Sequence, residues 1–260
     1  MKKKPNILIT NDDGIHAPGL RHLWECLRSI ANINIIAPLT EKSGVGLAIT
    51  IRDPLRIEKV ETFPNTPAWS VSGTPADCVK MAIKVIYDQP PDIIVTGINR
   101  GSNAGRNVLY SGTVAGAIEG VMHNIPSIAF SCWENKDPDY SRTSPFIPRI
   151  LNYVLEHPMP SGTLLNVNFP RDHLPIQGVK LTRQGKEFWE ANPDKRQHPV
   201  EEHSYYWMGA KLAEFDEEHD SDIAWLRQGY AAAVPVHVHE LTDHMHLRKQ
   251  KAHFDSCLGE

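Results

Sequence analysis

The sequence predicts an α/β fold with a doubly wound, Rossmann-like and mostly parallel sheet, extended by a C-terminal arm. Short apolar runs alternate with stretches of helical periodicity over the first half of the chain. Such alternation is typical of a parallel sheet covered by helices on both faces. Beyond about residue 133 the regularity drops. We therefore expect a Rossmann-like core over residues 1–180, with residues 181–260 forming an arm or hairpin and a C-terminal segment of the same domain.

The first strand–helix–strand unit carries the clearest pattern. An apolar run at residues 7–9 predicts one strand, and residues 33–38 predict the next. Pro18 is placed for the first turn of a helix. The apolar residues of that helix recur at helical spacing: Leu20, Leu23, Trp24, Leu27 and Ile30. Strands joined by a helix in so short a span are parallel, with a right-handed crossover.

The alternation continues toward the C-terminus. The predicted elements are a helix over 76–87, a strand over 92–96, a glycine-rich loop over 97–113, a helix over 114–122, a strand over 125–131, a helix over 146–155 and a strand over 164–169. Residues 183–211 are aromatic and charged without helical period, which favours a hairpin or arm. Gly229 ends a short helix, and residues 231–238 predict a strand that Pro235 places at a sheet edge.

Composition indicates a cytoplasmic, soluble protein. The chain has 260 residues and a net charge of −4, which gives no electrostatic footprint for a stable nucleic-acid or membrane partner. Its four cysteines are scattered, as free thiols in a reducing compartment would be. The apolar run behind the basic N-terminus ends at Asn11, too short for a signal peptide, and no stretch approaches the ~18 apolar residues of a membrane span.

An adjacent pair of carboxylates, Asp12 and Asp13, follows the first strand directly. One of them could simply cap the next helix, a role that contributes about 1 kcal/mol. Two carboxylates ~5 Å apart repel by roughly 3 kcal/mol at an effective dielectric near 20, but by under about 1 kcal/mol in water. A solvated turn therefore explains the pair as well as a ligand site does, and identity alone leaves both interpretations open.

Position adds the information that identity lacks. In an open α/β sheet, ligands bind outside the carboxyl ends of the strands. Polar, flexible segments follow two other predicted strands, at residues 42–44 and at Asn99. Carboxylate, hydroxyl and amide oxygens are the hard ligands that Mg²⁺, Mn²⁺ or Ca²⁺ prefer. A divalent cation would also remove the repulsion between the two carboxylates.

A second feature of the same sheet edge suits an anion. Residues 110–113, Tyr-Ser-Gly-Thr, open directly onto the helix predicted from Val114. Backbone N–H groups at a helix start, with hydroxyls alongside, bind phosphate. An ordinary N-cap is the alternative for any single Ser-Gly-Thr. A hard-cation site and an anion site on one edge together indicate phosphate-ester chemistry.

Four ordered motifs resemble one known family. They are NDDGIHAPGL (11–20), SGTPADCV (72–79), GINRGSNAG (97–105) and LYSGTVAGAIEG (109–120). Weaker matches follow at LNVNFP (165–170), LTRQG (181–185) and QGYAAAVPVHVHELT (228–242). Together they resemble the survival protein E (SurE) family of metal-dependent 5′/3′-nucleotidases over nearly the whole chain. The resemblance implies hydrolysis of nucleoside 5′- and 3′-monophosphates to nucleoside and phosphate, with exopolyphosphatase action as an open side activity.

The resemblance also implies a site. The positions matching the family's metal ligands are Asp12, Asp13, Ser43 and Asn99. Those matching its phosphate site are Ser111, Gly112 and Thr113, with Asn103 close by. One divalent cation per subunit, Mg²⁺, Mn²⁺ or a similar ion, is implied, as is a homodimer or homotetramer. Where the family often has an asparagine before its Ser-Gly, this chain has Glu41, which leaves the contacts around the cation and the preferred ester open.

The implied mechanism is attack by an activated water. A cation polarises the phosphoryl oxygens and lowers the pKa of a bound water. Asp12 or Asp13 would orient or deprotonate that water, making them the expected catalytic residues, while residues 111–113 hold the developing charge. A covalent aspartyl nucleophile, as in haloacid-dehalogenase-like enzymes, would need an aspartate in place of Gly14.

Two other classes fit less well. A receiver-type signalling module also places acidic residues after its first strand. Its phospho-accepting aspartate could only be Asp53, which Pro54 follows, and the chain is about twice the length such a module needs. A dinucleotide-binding oxidoreductase is disfavoured because no G-x-G-x-x-G follows the first strand.

Histidines and aromatic residues near the C-terminus raise two further questions. His237 and His239 would share one strand face, which allows chelation of a transition metal, but a polar strand face followed by a solvated tail is favoured because no Cys or carboxylate pattern adjoins them. His16 needs no chemical role. The aromatic residues of the arm are expected at an interface between subunits: Phe188, Trp189, Tyr205, Tyr206 and Trp207.

Overall fold

A computed structural model describes residues 3–134, 136–213 and 215–258. The strands are β1 (Asn6–Thr10), β2 (Asn32–Pro38), β3 (Ile57–Lys59), β4 (Ala68–Val71), β5 (Ile93–Arg100), β6 (Ser127–Cys132), β7 (Thr163–Phe169), β8 (Val179–Leu181), β9 (Phe188–Glu190), β10 (Asp194–Gln197), β11 (Ser204–Trp207), β12 (Lys211–Ala213) and β13 (Ala231–His237). The helices are α1 (Pro18–Leu27), α2 (Pro75–Met81), α3 (Gly112–Met122), α4 (Ile147–Glu156), α5 (Asp222–Arg227) and α6 (His244–Leu258).

The central sheet confirms the predicted doubly wound architecture. Its nine strands run in the order β3-β4-β2-β1-β5-β6-β7-β13-β8. The six from β4 to β7 are mutually parallel, while β3 and β13 run antiparallel to β4 and β7. The chain winds outward from β1 through β2 to β4, then returns to β5 on the other side of β1. The switch point of the sheet therefore lies between the carboxyl ends of β1 and β5.

Helices cover both faces of this sheet, which explains the continuous apolar run of β1. Ile7 and Ile9 are buried in the core beneath α1 and α4, whereas Leu8 is buried on the other face with residues of α2. The contacts of α1 with α4 and of α2 with α3 complete the two outer layers. A strand buried on both sides has no solvent face on which polar residues would alternate.

Several element boundaries differ from the predictions. Helix α1 ends at Leu27, and the predicted 76–87 helix is α-helical only to Met81, continuing over Ala82–Ile86 as a π-helical turn. Strand β5 extends to Arg100, so the predicted loop begins inside a strand. Gly97 permits this because its φ is +117° and a Cβ there would lie 2.2 Å from the Phe130 carbonyl oxygen. The short strands β3 and β4 were not predicted.

The C-terminal third of the chain contributes strands β8 and β13 to the central sheet, while its other strands lie outside that sheet. Strand β13 pairs with β7 along its whole length but with β8 only over Ala231–Ala233, so its outer side is an edge at Pro235, as predicted. Two nested hairpins, β9 with β12 and β10 with β11, stand outside the central sheet. Helix α6 has no buried side chain. Among the described helices, none combines the length and the apolar character that crossing a lipid bilayer requires.

Candidate functional site

A cleft of about 770 Å³ opens at the switch point of the sheet. The sequence-predicted site residues that line it are Asp12, Ser43, Asn99, Asn103 and Ser111. The remaining three lie against Asp12 or next to it: Asp13, Gly112 and Thr113. Residues separated by up to about a hundred positions in the sequence are therefore brought together, because the carboxyl ends of β1, β2 and β5 meet at this edge. We call this opening the switch-point cleft.

Asp12 is the most deeply placed acidic group of the cleft, with only 3% of its surface exposed. Its Oδ1 accepts a short hydrogen bond from the Thr113 hydroxyl. Burial raises the pKa of Asp12 to about 7, the Thr113 hydrogen bond opposes that rise, and the neighbouring Asp13 adds to it. Its carbonyl oxygen accepts the Lys42 N–H at 2.7 Å, which ties the loop after β2 to the end of β1.

Asp13 is half-buried and opens onto an adjoining pocket of about 440 Å³. Its Oδ2 accepts the backbone N–H of Arg100 at 3.2 Å. Burial raises the pKa of Asp13, and both the Arg100 N–H and the Arg100 guanidinium oppose that rise. Asp12 thus lines the switch-point cleft and Asp13 the adjoining pocket, and Arg100 borders both openings.

Ser43 and Glu41 connect the loop after β2 to the loop after β5. The Ser43 hydroxyl donates to Glu41 Oε1 at 2.7 Å, and that same oxygen lies 3.5 Å from Nη2 of Arg100. The carboxylate at the position where the family often has an asparagine is thus a link between two loops of the site. It also leaves the Ser43 oxygen free to act as a ligand through its lone pairs.

Asn99 and Asn103 are held by hydrogen bonds that orient their side chains. β5 pairs with β6 through Thr96, and the pairing resumes at Asn99 with a shift in register. Such an irregularity redirects side chains at a strand end. The Asn99 Nδ2 donates to the Gly101 carbonyl at 2.7 Å, which leaves the amide oxygen as the free end. The Asn103 Nδ2 donates to Ser131 Oγ at 2.8 Å.

Two asparagines of β7 support this loop and were missed by sequence reasoning. Asn168 Oδ1 accepts the Asn103 N–H at 2.8 Å, and Asn166 Nδ2 donates to the Asn103 carbonyl at 3.0 Å. Both are fully buried. The signal that could have revealed them is their alternation within an otherwise apolar strand, LLNVNF, which places both side chains on one face.

Ser111, Gly112 and Thr113 form the start of α3. Ser111 is its N-cap and accepts the Val114 N–H at 3.0 Å, so the ordinary capping interpretation holds for its oxygen, while its hydroxyl proton can still donate. A Cβ on Gly112 would lie 2.7 Å from the Asp12 Cβ, so only glycine fits there. Thr113 directs both its hydroxyl and its backbone N–H toward the Asp12 carboxylate.

Part of the cleft lining comes from the β9–β12 hairpin and from the segment that it encloses. Phe188, Trp189 and Met208 line the cleft, together with Tyr110 from the segment before α3. The backbone N–H of Trp189 donates to Asn107 Oδ1 at 2.9 Å, which fixes the hairpin against the glycine-rich loop. Sequence reasoning assigned Phe188 and Trp189 to a subunit interface and missed their place beside the predicted ligands.

His237 ends β13 and His239 lies beyond it, so the two histidines do not share a strand face as expected, and each has a local hydrogen-bond partner. His237 Nδ1 lies 2.9 Å from Thr163 Oγ1, and His239 Nε2 lies 3.2 Å from the Val121 carbonyl oxygen. Their ring centroids are 6.3 Å apart at 69°. Neither belongs to a metal-ligand cluster among the described residues.

The donors of the cleft fit a hard divalent cation. Carboxylate, hydroxyl and amide oxygens converge there, and no basic side chain of the described residues pairs with the Asp12 carboxylate. A buried carboxylate without a counter-charge is unfavourable, and a cation would supply that charge. Beside it, the start of α3 is suited to an anion, because the N-terminus of a helix carries a partial positive charge.

The fold and this cleft define an α/β protein with a polar ligand site at the switch point, where a hard-cation donor set adjoins a helix start. The chain belongs to the survival protein SurE family, whose sequence profile matches residues 7–191. The resemblance expected from the motifs is thereby confirmed.

Individual relatives extend the likeness over the whole chain. The "5'-nucleotidase SurE" of Protochlamydia amoebophila (strain UWE25) is 55% identical and is matched over 100% of both chains. That of Caldanaerobacter subterraneus subsp. tengcongensis is 39% identical over 95% of this chain and 96% of its own. The crystal structure of the SurE protein from Aquifex aeolicus superposes with a TM-score of 0.82 at 35% identity, covering 96% of this chain and 100% of that chain.

Proposed function

We propose that this protein is a 5′-nucleotidase, a divalent-metal-dependent phosphoric monoester hydrolase that releases nucleoside and phosphate from nucleoside 5′- and 3′-monophosphates. The observation that carries the proposal is the convergence of Asp12, Ser43, Asn99 and Ser111 in one cleft at the switch point. The names of the full-length relatives support the same activity.

The cation proposed for the cleft is a single Mg²⁺ or Mn²⁺ per subunit, held by Asp12, Asp13, Ser43 and Asn99. When bound, such an ion polarises the phosphoryl oxygens and makes a coordinated water acidic. The support is the hard-oxygen character of the donors and the uncompensated burial of the Asp12 carboxylate.

The residues of the chain divide the remaining chemistry between them. An Asp12 or Asp13 carboxylate orients the attacking water and accepts its proton. The Ser111 hydroxyl and the Gly112 N–H donate to the phosphoryl oxygens, on which negative charge accumulates, and Thr113 lies next to them at the start of α3. Thr113 also keeps Asp12 in place through its hydroxyl. Asn103 lies beside them with its amide anchored on Ser131.

The aromatic wall of the cleft is suited to the nucleoside part of the substrate. Phe188, Trp189 and Tyr110 line the same cleft as the polar donors. A nucleobase stacks on such side chains with about 1–3 kcal/mol of favourable energy per base. A phosphate at the start of α3 and a base on these aromatic side chains would both lie within the cleft.

Two further features belong to the proposal. The protein forms a homodimer or homotetramer, supported by the exposed aromatic side chains of β11. It acts in the cytoplasm, supported by its four cysteines, all of which are free thiols.

Phosphate release tests the activity. The enzyme, dialysed against a chelator, is offered nucleoside 5′- and 3′-monophosphates, p-nitrophenyl phosphate and polyphosphate, with and without Mg²⁺ or Mn²⁺. We expect hydrolysis of the nucleotides only when a cation is restored. Full activity after exhaustive chelation would overturn the metal-dependent mechanism, and inactivity on every monophosphate would overturn the assignment. The polyphosphate arm decides whether the side activity exists.

A further inference from the structure

Two histidines face each other at the tip of the β10–β11 hairpin, outside the switch-point cleft. The last pair of the ladder is Gln197 with Ser204, so His198 and His203 stand opposite one another at the next position. The His198 N–H donates to the His203 carbonyl at 2.9 Å. Side chains opposite one another in an antiparallel pair lie on the same face. Accordingly, the two rings are stacked, with centroids 4.9 Å apart at 13°.

The loop between them brings a carboxylate to the same place. Glu201 Oε2 lies 3.3 Å from His203 Nδ1. The N–H groups of Val200 and Glu201 both donate to His198 Nδ1, at 3.4 and 3.0 Å, so the loop wraps around that ring. Glu202 has a φ of +52°, which turns the chain back toward β11. Two imidazoles and one carboxylate therefore offer ligand atoms that all lie within 4.8 Å of one another.

We propose that His198, Glu201 and His203 form a second metal site, which binds a divalent transition-metal ion such as Zn²⁺ and is separate from the nucleotidase site. Imidazole nitrogen favours Zn²⁺, Cu²⁺ or Ni²⁺, whereas the oxygen donors of the cleft favour Mg²⁺ or Mn²⁺. Three protein ligands leave the fourth tetrahedral position to water. The two sites of the chain thus differ in ligand chemistry as well as in place.

Metal binding requires the tip to close and the loop to release one imidazole nitrogen. Ligands about 2.0–2.1 Å from a tetrahedral ion lie roughly 3.4 Å from one another. The donors are now within 4.8 Å, so the exposed tip contracts by about an ångström on binding. Because Nδ1 of His198 accepts N–H donors, the proton of its neutral ring is on Nε2, and the Nδ1 lone pair faces the loop. The Val200 and Glu201 N–H groups must release this nitrogen before the ion binds it, so the loop rearranges around the His198 ring.

Binding would stabilise an element that is weak alone. Strands β10 and β11 have four residues each, all exposed, and pair only with each other. An isolated two-stranded hairpin of this kind is marginally stable in water. An ion held by residues at the ends of both strands binds the closed hairpin more tightly than the open one. It therefore stabilises the closed hairpin by the difference between these two binding free energies.

Calorimetric titration of Zn²⁺ into the full-length protein tests the site. The Asp12→Asn background removes a carboxylate from the cleft, so that the hairpin dominates the signal. We expect His203→Ala in this background to weaken Zn²⁺ binding by about tenfold or more. The matched control His219→Ala, which alters an exposed histidine elsewhere, leaves binding unchanged. His203→Gln serves as a second variant that preserves side-chain volume.

Protease sensitivity provides an independent readout. Zn²⁺ should slow cleavage within residues 198–203 of the wild-type protein but not of His203→Ala or Glu201→Gln. Nucleotide hydrolysis with Mg²⁺ should be the same in His203→Ala as in wild type, which also shows that the variant is folded. Equal Zn²⁺ affinity and equal protection in His203→Ala and His219→Ala would overturn the site, whatever the outcome of the nucleotidase assay.

Discussion

The Asp12 carboxylate sits where water is almost absent, with a hydroxyl donor on one side and another carboxylate next in sequence. A folded-state pKa raised from 3.8 to about 7 means that the cation-free fold prefers the protonated acid. Between these pH values the folded state binds more protons than the unfolded chain does, so stability from this group is complete at low pH and falls as the pH rises toward 7. Folding without a cation therefore favours the protonated Asp12 side chain, whereas cation binding requires the ionised one.

Asp12→Asn should separate the effect of this side chain on folding stability from its effect on cation binding. The amide keeps the shape of the side chain and can still accept from Thr113, but it has no charge to desolvate. In cation-free protein at pH 8 we expect a higher free energy of unfolding than in wild type, by at most about 4 kcal/mol for the shift from 3.8 to about 7, with the two converging near pH 4. Thermal unfolding across that pH range measures the difference.

The same substitution should reduce turnover by about a hundredfold or more, roughly 3 kcal/mol of barrier. The charge lost is the one that a cation and the attacking water require. A variant with hydrolysis within about threefold of wild type would assign Asp12 to folding alone. Added Mg²⁺ should stabilise the wild-type protein at pH 8 and should stabilise Asp12→Asn much less.

Ser111 tests whether the start of α3 binds phosphate or only caps the helix. Ser111→Ala should cost about 1 kcal/mol of stability through the lost cap, and should also weaken competitive inhibition by inorganic phosphate together with kcat/KM. Ser221 is the matched control, because it caps α5 in the same way, accepting the Ala224 N–H at 3.2 Å. If Ser221→Ala and Ser111→Ala lose equal stability and neither alters phosphate inhibition, the anion must bind elsewhere.

At the scale of elements, the β9–β12 hairpin is what turns an exposed sheet edge into a cleft. Arg106 N–H donates to the Glu187 carbonyl at 2.8 Å, and Gly105 approaches that carbonyl so closely that a Cβ would lie 2.2 Å away. These contacts join the hairpin to the glycine-rich loop at its base. Trp189 is thereby held in the lining of the cleft that also contains Ser111.

Trp189→Ala should weaken the binding of nucleotides but leave the hydrolysis of small phosphate esters nearly unchanged. We expect KM for a nucleoside monophosphate to rise about tenfold, corresponding to the lower end of the 1–3 kcal/mol of stacking, while kcat/KM for p-nitrophenyl phosphate changes little. Trp189→Phe, which keeps an aromatic face, should recover most of the affinity. Parallel losses on both substrates would mean that Trp189 supports the fold of the cleft and does not contact the base.

The elements that sequence predicts well are those whose pattern is local. The apolar run Ile7 to Ile9 and the helical spacing of apolar residues in α1 are visible from neighbouring residues alone. They were therefore enough to predict β1, α1 and the position of the sheet edge at the end of β1. Because strand ends of a parallel sheet meet, Asp12, Ser43, Asn99 and Ser111 could also be predicted as neighbours, whereas Asn103 was expected only from the family resemblance. The placement of Trp189 could not, because it depends on hairpin pairing and on a contact with Asn107 more than eighty residues away. The same holds for Asn168 beneath Asn103.

At the scale of the whole molecule, the two hairpins have different surroundings although they are continuous in sequence. The β9–β12 pair lies against the cleft, whereas the β10–β11 pair extends beyond it with every residue exposed. Tyr206 and Trp207 expose 61% and 63% of their surface on β11. Aromatic side chains are enriched at subunit interfaces, where their large apolar area is removed from water. The predicted interface therefore narrows from the whole arm to this outer hairpin.

A homo-oligomer assembled through β10–β11 should depend on these two side chains. Light scattering at assay concentration should give a dimer or tetramer for the wild-type protein and a shift toward monomer for the double variant Tyr206→Ser, Trp207→Ser. Tyr153→Ser is a suitable control, because Tyr153 is comparably exposed, at 59%, but lies on α4. A wild-type monomer would contradict the assembly itself. An oligomer that resists the double variant but dissociates with Tyr153→Ser would instead place the interface at α4, on the other side of the sheet from α3.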